Sequence, residues 1–80
     1  MPNLSSHRRN AALVSLGTVI RDMRMASSLT QEQLALTAEL DRSYVGQVER
    51  GDSNVAILNL KRIADALGTT VEVLMRRASL

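Results

Sequence analysis

The 80-residue sequence contains no cysteine, no phenylalanine and no tryptophan, and it has only one tyrosine and one proline. The absence of cysteine excludes disulfide bonds, thiolate metal ligands and a cysteine nucleophile. The scarcity of aromatic rings argues against binding of RNA or single-stranded DNA, because such proteins stack bases on aromatic side chains. A core without large aromatic residues has to be built from Leu, Ile, Val, Ala and Met in closely packed helices.

Signals for export, membrane insertion and catalysis are also missing. No apolar run approaches the roughly 20 residues that span a membrane, and the first residues do not form a signal peptide. The only histidine, His7, has no second metal-ligating residue at a suitable spacing, and Ser43 has no histidine in the same element to activate it. There is no glycine-rich phosphate loop. We therefore expect a soluble, cytoplasmic protein that is not an enzyme and that uses no metal, cofactor or small-molecule ligand.

The charge is small and unevenly distributed. The formal net charge is +2, and residues 21–62 contain six basic and six acidic residues, so this central segment has no net charge. Most of the excess lies near the ends, at Arg8, Arg9, Arg76 and Arg77. This pattern gives modest support for nucleic-acid binding. A chain of this size buries only about 60% of its unfolded surface, which favours oligomerisation.

The stretch from Thr30 to Gly51 predicts two short helices joined by a sharp turn. Thr30 can cap the first helix, and Gln33 can complete a capping box three residues later. Asp41 offers the N-cap of a second helix, which runs from residue 42 to about residue 50 and ends at Gly51.

The second of these helices has an apolar side and a polar side. Val45 and Val48 continue a helical stripe that can face a core. A polar outward face remains, and it suits the base edges of a DNA major groove. This face contains Arg42, Ser43, Gly46, Gln47 and Arg50.

These features resemble the Cro/cI-type helix-turn-helix regulators. The resemblance covers about residues 16–75, and residues at the family's recurring positions are Gln31, Ala35, Val45, Val48, Glu49 and Gly51. The segments LDRSYVGQVERG and NVAILNLKRIADALG are most similar to the controller proteins of restriction-modification systems. The resemblance implies an all-α fold, a compact five-helix, lambda-repressor-like DNA-binding domain with a helix-turn-helix.

The sequence departs from the family pattern at two places. Glu39 stands in the turn where the family usually has a glycine in a left-handed conformation, so this turn either costs about 1 kcal/mol or differs slightly. The loop after Gly51 contains Asp52, Ser53 and Asn54 where many relatives have basic residues. Phosphate contacts from this loop would therefore be uncharged.

The first helix is predicted from Ala11 to about Ser27. Gly17 lies inside it, where another helix can cross closely. Arg24 matches the family position whose guanidinium pairs with the glutamate that corresponds to Glu49. The alternative is that Arg24 and Glu49 are two unrelated exposed charges.

Two more helices are predicted after the motif. The fourth runs from Ile57 to Leu67 and ends at Gly68, and Thr69 or Thr70 caps the fifth. The fifth helix has more apolar residues than one core-facing stripe requires, which predicts a dimer interface. A well-buried terminal helix is the alternative. The candidate interface residues are Val71, Val73, Leu74 and Met75.

The family resemblance and the polar outward face of the second helix together predict which residues contact DNA bases and which contact the DNA backbone. Candidates for DNA base readout are Arg42, Ser43, Tyr44 and Gln47, with Tyr44 alternatively part of the core cover. Candidates for DNA backbone contacts are Gln31, Arg50 and Asn54. Residues 1–10 are predicted to be a flexible tail, either solvated or in contact with DNA, that precedes a domain at 11–80.

We therefore expect a sequence-specific regulator of transcription that binds double-stranded DNA as a homodimer on a palindromic operator. A restriction-modification controller protein is the specific candidate, and RNA polymerase is a further candidate partner. The alternative is a helical protein-interaction module, such as an antitoxin-like partner.

Overall fold

The computed structural model describes residues 10–80, and these residues form five helices without a strand. The predicted all-α, five-helix fold is confirmed. Residues 1–9, including most of the predicted tail, lie outside the described residues. Within residues 10–80, no helix combines the length and apolar character needed to cross a membrane. The helices are α1 (Ala11–Ala26), α2 (Gln31–Ala38), α3 (Arg42–Arg50), α4 (Ile57–Ala66) and α5 (Val71–Arg77).

Three of the five helices, α1, α2 and α5, begin at a residue whose side chain caps them, and α3 and α4 do not. The Thr30 hydroxyl accepts a hydrogen bond from the Gln33 backbone N–H at 3.0 Å, and the Gln33 side chain accepts one from the Thr30 N–H at 2.8 Å. This capping box starts α2 as predicted. The Thr70 hydroxyl caps α5 by accepting from the Val73 N–H. Asp41 stands at the N-cap of α3, but its side chain makes no capping hydrogen bond.

The turn between α2 and α3 is left-handed at Glu39, with φ 59° and ψ 44°. The chain therefore keeps the conformation that the family gives to glycine, although it has a glutamate there. Gly51 ends α3 at φ 77° and lies against Val14 of α1, where a Cβ atom would come within 2.7 Å of a Val14 methyl group. This position requires glycine for both its conformation and its contact. The fourth helix ends at Ala66, one residue before the predicted end.

A close crossing of α1 and α3 fixes the orientation of α3. A Cβ atom on Gly17 would lie 2.5 Å from the Glu49 carbonyl oxygen and would also overlap the Val48 carbonyl oxygen. Real Cβ atoms do not approach backbone this closely, so only glycine allows α1 to lie directly on the last turn of α3. The predicted reason for a glycine inside α1 is confirmed.

The core is aliphatic and draws on all five helices. Its fully enclosed large side chains are Ile20, Leu34, Val45, Ile63 and Leu74. The Ser15 hydroxyl donates to the Ala78 carbonyl oxygen at 2.8 Å and ties α1 to the end of α5.

The burial of α5 corrects one prediction. Leu74 is 0% exposed, so its side chain fills the core of the protomer and cannot form a contact between folded copies. Val71 and Met75 are partly buried and pack against the same core, whereas Val73 is half-buried and has no place in that cluster. Most of the apolar side chains of α5 are therefore buried against the core of the same protomer.

Candidate nucleic-acid interface

One side of helix α3 packs in the core, and the opposite side is exposed to solvent. Val45 and Val48 are buried in the core, as the apolar stripe predicts. The opposite side is exposed along the length of the helix, and it includes Arg42, Ser43, Gln47 and Arg50. A helix of this kind can enter a major groove without losing its contacts with the rest of the domain.

Gly46 does not belong to this open side, which corrects the sequence prediction. It is buried, because the side chains of Arg50 and Gln31 cover it. A Cβ atom at Gly46 would lie 3.2 Å from a terminal guanidinium nitrogen of Arg50 and 3.6 Å from the Gln31 side-chain oxygen. The missing side chain thus leaves room for two predicted DNA-backbone residues to converge.

Tyr44 lies at the edge of the core and is anchored to α4. Its ring packs against the core, and its hydroxyl accepts a hydrogen bond from the Asn59 side-chain amide at 3.2 Å. This position matches the alternative role of Tyr44 as core cover. No local signal in the sequence indicates a role for Asn59, because its contact is with a residue 15 positions away on a different helix.

An ion pair lies behind the open face and joins α1 to α3. Arg24 Nε lies 2.7 Å from Glu49 Oε2, and Arg24 Nη2 lies 3.1 Å from Glu49 Oε1. The remaining guanidinium nitrogen donates to the Leu29 carbonyl oxygen at 2.8 Å. Only 12% of the Arg24 side chain and 2% of the Glu49 side chain are exposed. The pair implied by the family resemblance is therefore present and largely shielded from water.

Gln31 extends this ion pair to the start of α2. Its side-chain amide donates to Glu49 Oε1 at 3.0 Å. The Glu49 carboxylate thus accepts hydrogen bonds from side chains of two helices, and the Arg24 guanidinium compensates its charge. Glu49 thereby orients the Gln31 amide, and the backbone N–H and the second amide hydrogen of Gln31 remain as donors.

The end of α3 carries a second, more exposed ion pair. Arg50 Nε lies 3.1 Å from Asp52 Oδ2, and 58% of the Arg50 side chain is exposed. The pair holds the guanidinium by one edge and leaves its terminal nitrogens available to another acceptor. Asn54, in the following loop, is also exposed.

A family model described as helix-turn-helix matches residues 20–74, the segment that contains the α2–α3 pair and both ion-pair partners on α1 and α3. The chain belongs to the helix-turn-helix family. Its resemblance to the Cro/cI-type regulators is thereby confirmed, and it is a DNA-binding regulator of transcription.

The similar proteins include controllers of restriction-modification systems. Control protein C.SmaI of Serratia marcescens is 43% identical over 61 residues, which cover 76% of this chain and 73% of the relative. Control protein C.BamHI of Bacillus amyloliquefaciens is 40% identical over 53 residues, or 65% of each chain. The crystal structure of the controller protein C.AhdI from Aeromonas hydrophila matches with a TM-score of 0.80 and 46% identity, covering 81% of this chain and 98% of that one.

Proposed function

We propose that this protein is a sequence-specific regulator of transcription that binds a palindromic operator in double-stranded DNA as a homodimer, in the manner of a restriction-modification controller protein. The observation that carries the proposal is the open side of α3, whose polar side chains face solvent while Val45 and Val48 anchor the helix. The similarity to controller proteins supports the same role.

Base readout falls first to Arg42, at the exposed start of α3. Its guanidinium forms no salt bridge within residues 10–80, so its donors are available. A guanidinium in the major groove can donate two hydrogen bonds to guanine O6 and N7, a contact worth about 1–3 kcal/mol of discrimination. Gln47 is exposed further along the helix and can read adenine, while Ser43 can bond to either type of base edge.

Contacts with the DNA backbone fall to residues at the two ends of the motif. The first turn of α2 has backbone N–H groups beside Gln31 that no carbonyl of the helix accepts. Arg50 is exposed at the last position of α3, and Asn54 is exposed in the loop that follows. Contacts of this kind fix the orientation of a protein on the duplex and carry no sequence information themselves. They would flank α3 while Arg42 meets the bases.

A homodimer would place two copies of α3 on one face of the duplex. A single unit reads only a few base pairs, and a two-fold arrangement with half-sites about 34 Å apart multiplies the specificity. The start of α4 offers the apolar surface for this contact, because Ile57 is 65% exposed and Leu58 is 71% exposed. We place the contact there and not on α5, because Leu74 is buried in the core and Val71 and Met75 pack against it. RNA polymerase would be the neighbouring protein when such a dimer binds beside a promoter.

Selection of bound sequences from a pool of random duplexes tests this function. The expected result is a palindromic consensus with two half-sites separated by about one helical turn. The Arg42→Ala protein passed through the same selection serves as the matched control and should lose the consensus. A pool without enrichment, combined with no DNA binding at low salt, would contradict the proposal and favour the protein-interaction module.

A further inference from the structure

An open cleft of about 460 Å³ lies beside the exposed end of α3. We call it the α1–α3 cleft. One wall is formed by three residues of α1, namely Val14, Thr18 and Arg21. The other side is formed by the polar network that ties α1, α2 and α3 together, and it contains Arg24, Gln31, Glu49 and Arg50.

The charges in the α1–α3 cleft are compensated with one exception. Arg24 is bonded to Glu49, and Arg50 is bonded to Asp52. Arg21 is exposed, and within residues 10–80 it forms no salt bridge. Arg21 therefore supplies the net positive charge of the cleft.

The lining of the cleft selects an anion. Its available charged groups are donors: within the described residues the terminal nitrogens of Arg50 and the guanidinium of Arg21 have no carboxylate partner. Thr18 and Gln31 add only neutral side-chain oxygens to the lining. The Glu49 carboxylate is already occupied by Arg24 and Gln31. Arginine forks match the oxygens of phosphate groups.

We propose that Arg21 binds a phosphodiester group of the DNA backbone in the α1–α3 cleft, so that α1 contributes a contact of its own to the nucleic-acid interface. The proposal rests on the proposed function, since Arg50 belongs both to the cleft and to the exposed side of α3. The Arg24–Glu49 pair holds α1 rigidly against α3, which keeps Arg21 at a fixed distance from the base-reading residues. Phosphate contacts made at fixed positions set the register of a protein on DNA.

The test compares Arg21→Gln with Arg62→Gln, which removes the same charge from an exposed arginine on α4 that lines a different cleft. Dissociation constants are measured over a salt series on the selected operator and on an unrelated duplex. Arg21→Gln should lower the slope of log K against log salt by about 0.9 per bound protomer, and it should weaken binding about eightfold per protomer at 0.1 M salt on both duplexes.

Two controls separate a phosphate contact from a structural role. Arg21→Lys should retain the slope, because it keeps the charge, whereas Arg62→Gln should leave the slope unchanged. The melting temperature of Arg21→Gln should equal that of the unmodified protein, since the side chain is exposed. A large fall in melting temperature would identify a structural role and overturn the proposal.

Other outcomes are equally decisive. If the unmodified protein binds DNA and Arg21→Gln keeps its slope, the cleft proposal is wrong and the proposed function stands. A loss confined to the operator would make Arg21 a base reader, which also contradicts the proposal. If inorganic phosphate protects the unmodified protein but not Arg21→Gln against melting while the DNA slopes are equal, the cleft takes a free anion instead. A protein that binds no duplex at all removes both proposals.

Discussion

The guanidinium of Arg24 contacts both oxygens of the Glu49 carboxylate, at 2.7 Å through Nε and at 3.1 Å through Nη2. This two-pronged contact joins α1 to the last turn of α3 at the same place where Gly17 lets the helices touch. The orientation of the exposed side of α3 therefore depends on a glycine and an ion pair that lie behind it.

Breaking the ion pair should destabilise the domain. Glu49→Ala should lower the free energy of unfolding by about 3 kcal/mol, because it leaves the shielded Arg24 without its carboxylate. Urea unfolding of Glu49→Ala, of Arg24→Ala and of the double variant gives the coupling energy between the two residues. Glu72→Ala is the control, since its 3.7 Å pair with Arg76 is exposed and should change stability by less than about 0.5 kcal/mol. A coupling energy of zero between Arg24 and Glu49 would show that the ion pair does not stabilise the fold.

Two glycines should respond in opposite ways to alanine. Gly17→Ala should lower the free energy of unfolding by about 1–3 kcal/mol, because the added methyl group meets backbone carbonyl oxygens that cannot move aside. Gly46→Ala meets only flexible side chains, Arg50 and Gln31, so it should retain or raise stability through the higher helix propensity of alanine. Thermal unfolding distinguishes the two. Equal stability of Gly17→Ala and the unmodified protein would contradict the close crossing.

The sequence predicts most of the helices because the relevant signals are local. The Thr30–Gln33 capping box and the glycine at position 51 act within one turn of the residues they order, and the structure places helix boundaries beside them. The α1–α3 ion pair spans 25 residues, and it was implied only by the family resemblance.

Contacts between helices are not predicted by local patterns in the sequence. The apolar composition of α5 does not reveal that Leu74 points into the core, because the direction depends on how α5 lies on α1 and α4. Gly46 lies on the polar side of a helical wheel, yet it is buried by side chains from its own helix and from α2. The sequence does not distinguish Arg21 from Arg24 and Arg50, because the difference lies in their partners: Arg24 and Arg50 pair with carboxylates, and within residues 10–80 Arg21 does not.

Glycine at position 39 should stabilise the turn. Glu39 is exposed and adopts φ 59°, so Glu39→Gly relieves a left-handed glutamate and should raise the free energy of unfolding by about 1 kcal/mol. Glu32→Gly is the control, because it places glycine in the first turn of α2 at an ordinary conformation and should lower stability. Urea unfolding measures both. A Glu39→Gly protein less stable than the unmodified one would show that the glutamate side chain stabilises this turn.

Loss of Arg42 should remove specificity without harming the fold. Arg42→Ala opens no cavity, because the side chain is exposed at the start of α3. Affinity for the selected operator should fall at least about tenfold, whereas affinity for an unrelated duplex should fall much less. Fluorescence anisotropy on both duplexes, with a melting curve as the control for folding, measures the difference. Equal losses on the two duplexes would assign Arg42 to the DNA backbone.

The homodimer should be held through the start of α4 and not through α5. Leu58 is 71% exposed, so Leu58→Glu can place a charge in an interface without disturbing the protomer core. Sedimentation equilibrium at tens of micromolar should show a dimer for the unmodified protein and a monomer for Leu58→Glu, with the helical content unchanged.

Val73→Glu is the matched control on α5, because Val73 is the predicted interface residue that is neither fully buried nor part of the core cluster. It should remain a dimer. The melting temperature of the unmodified protein should rise with concentration, since association stabilises only the folded state, and that dependence should disappear in Leu58→Glu. A Leu58→Glu dimer beside a Val73→Glu monomer would return the interface to α5, and a monomeric unmodified protein would contradict the dimer itself.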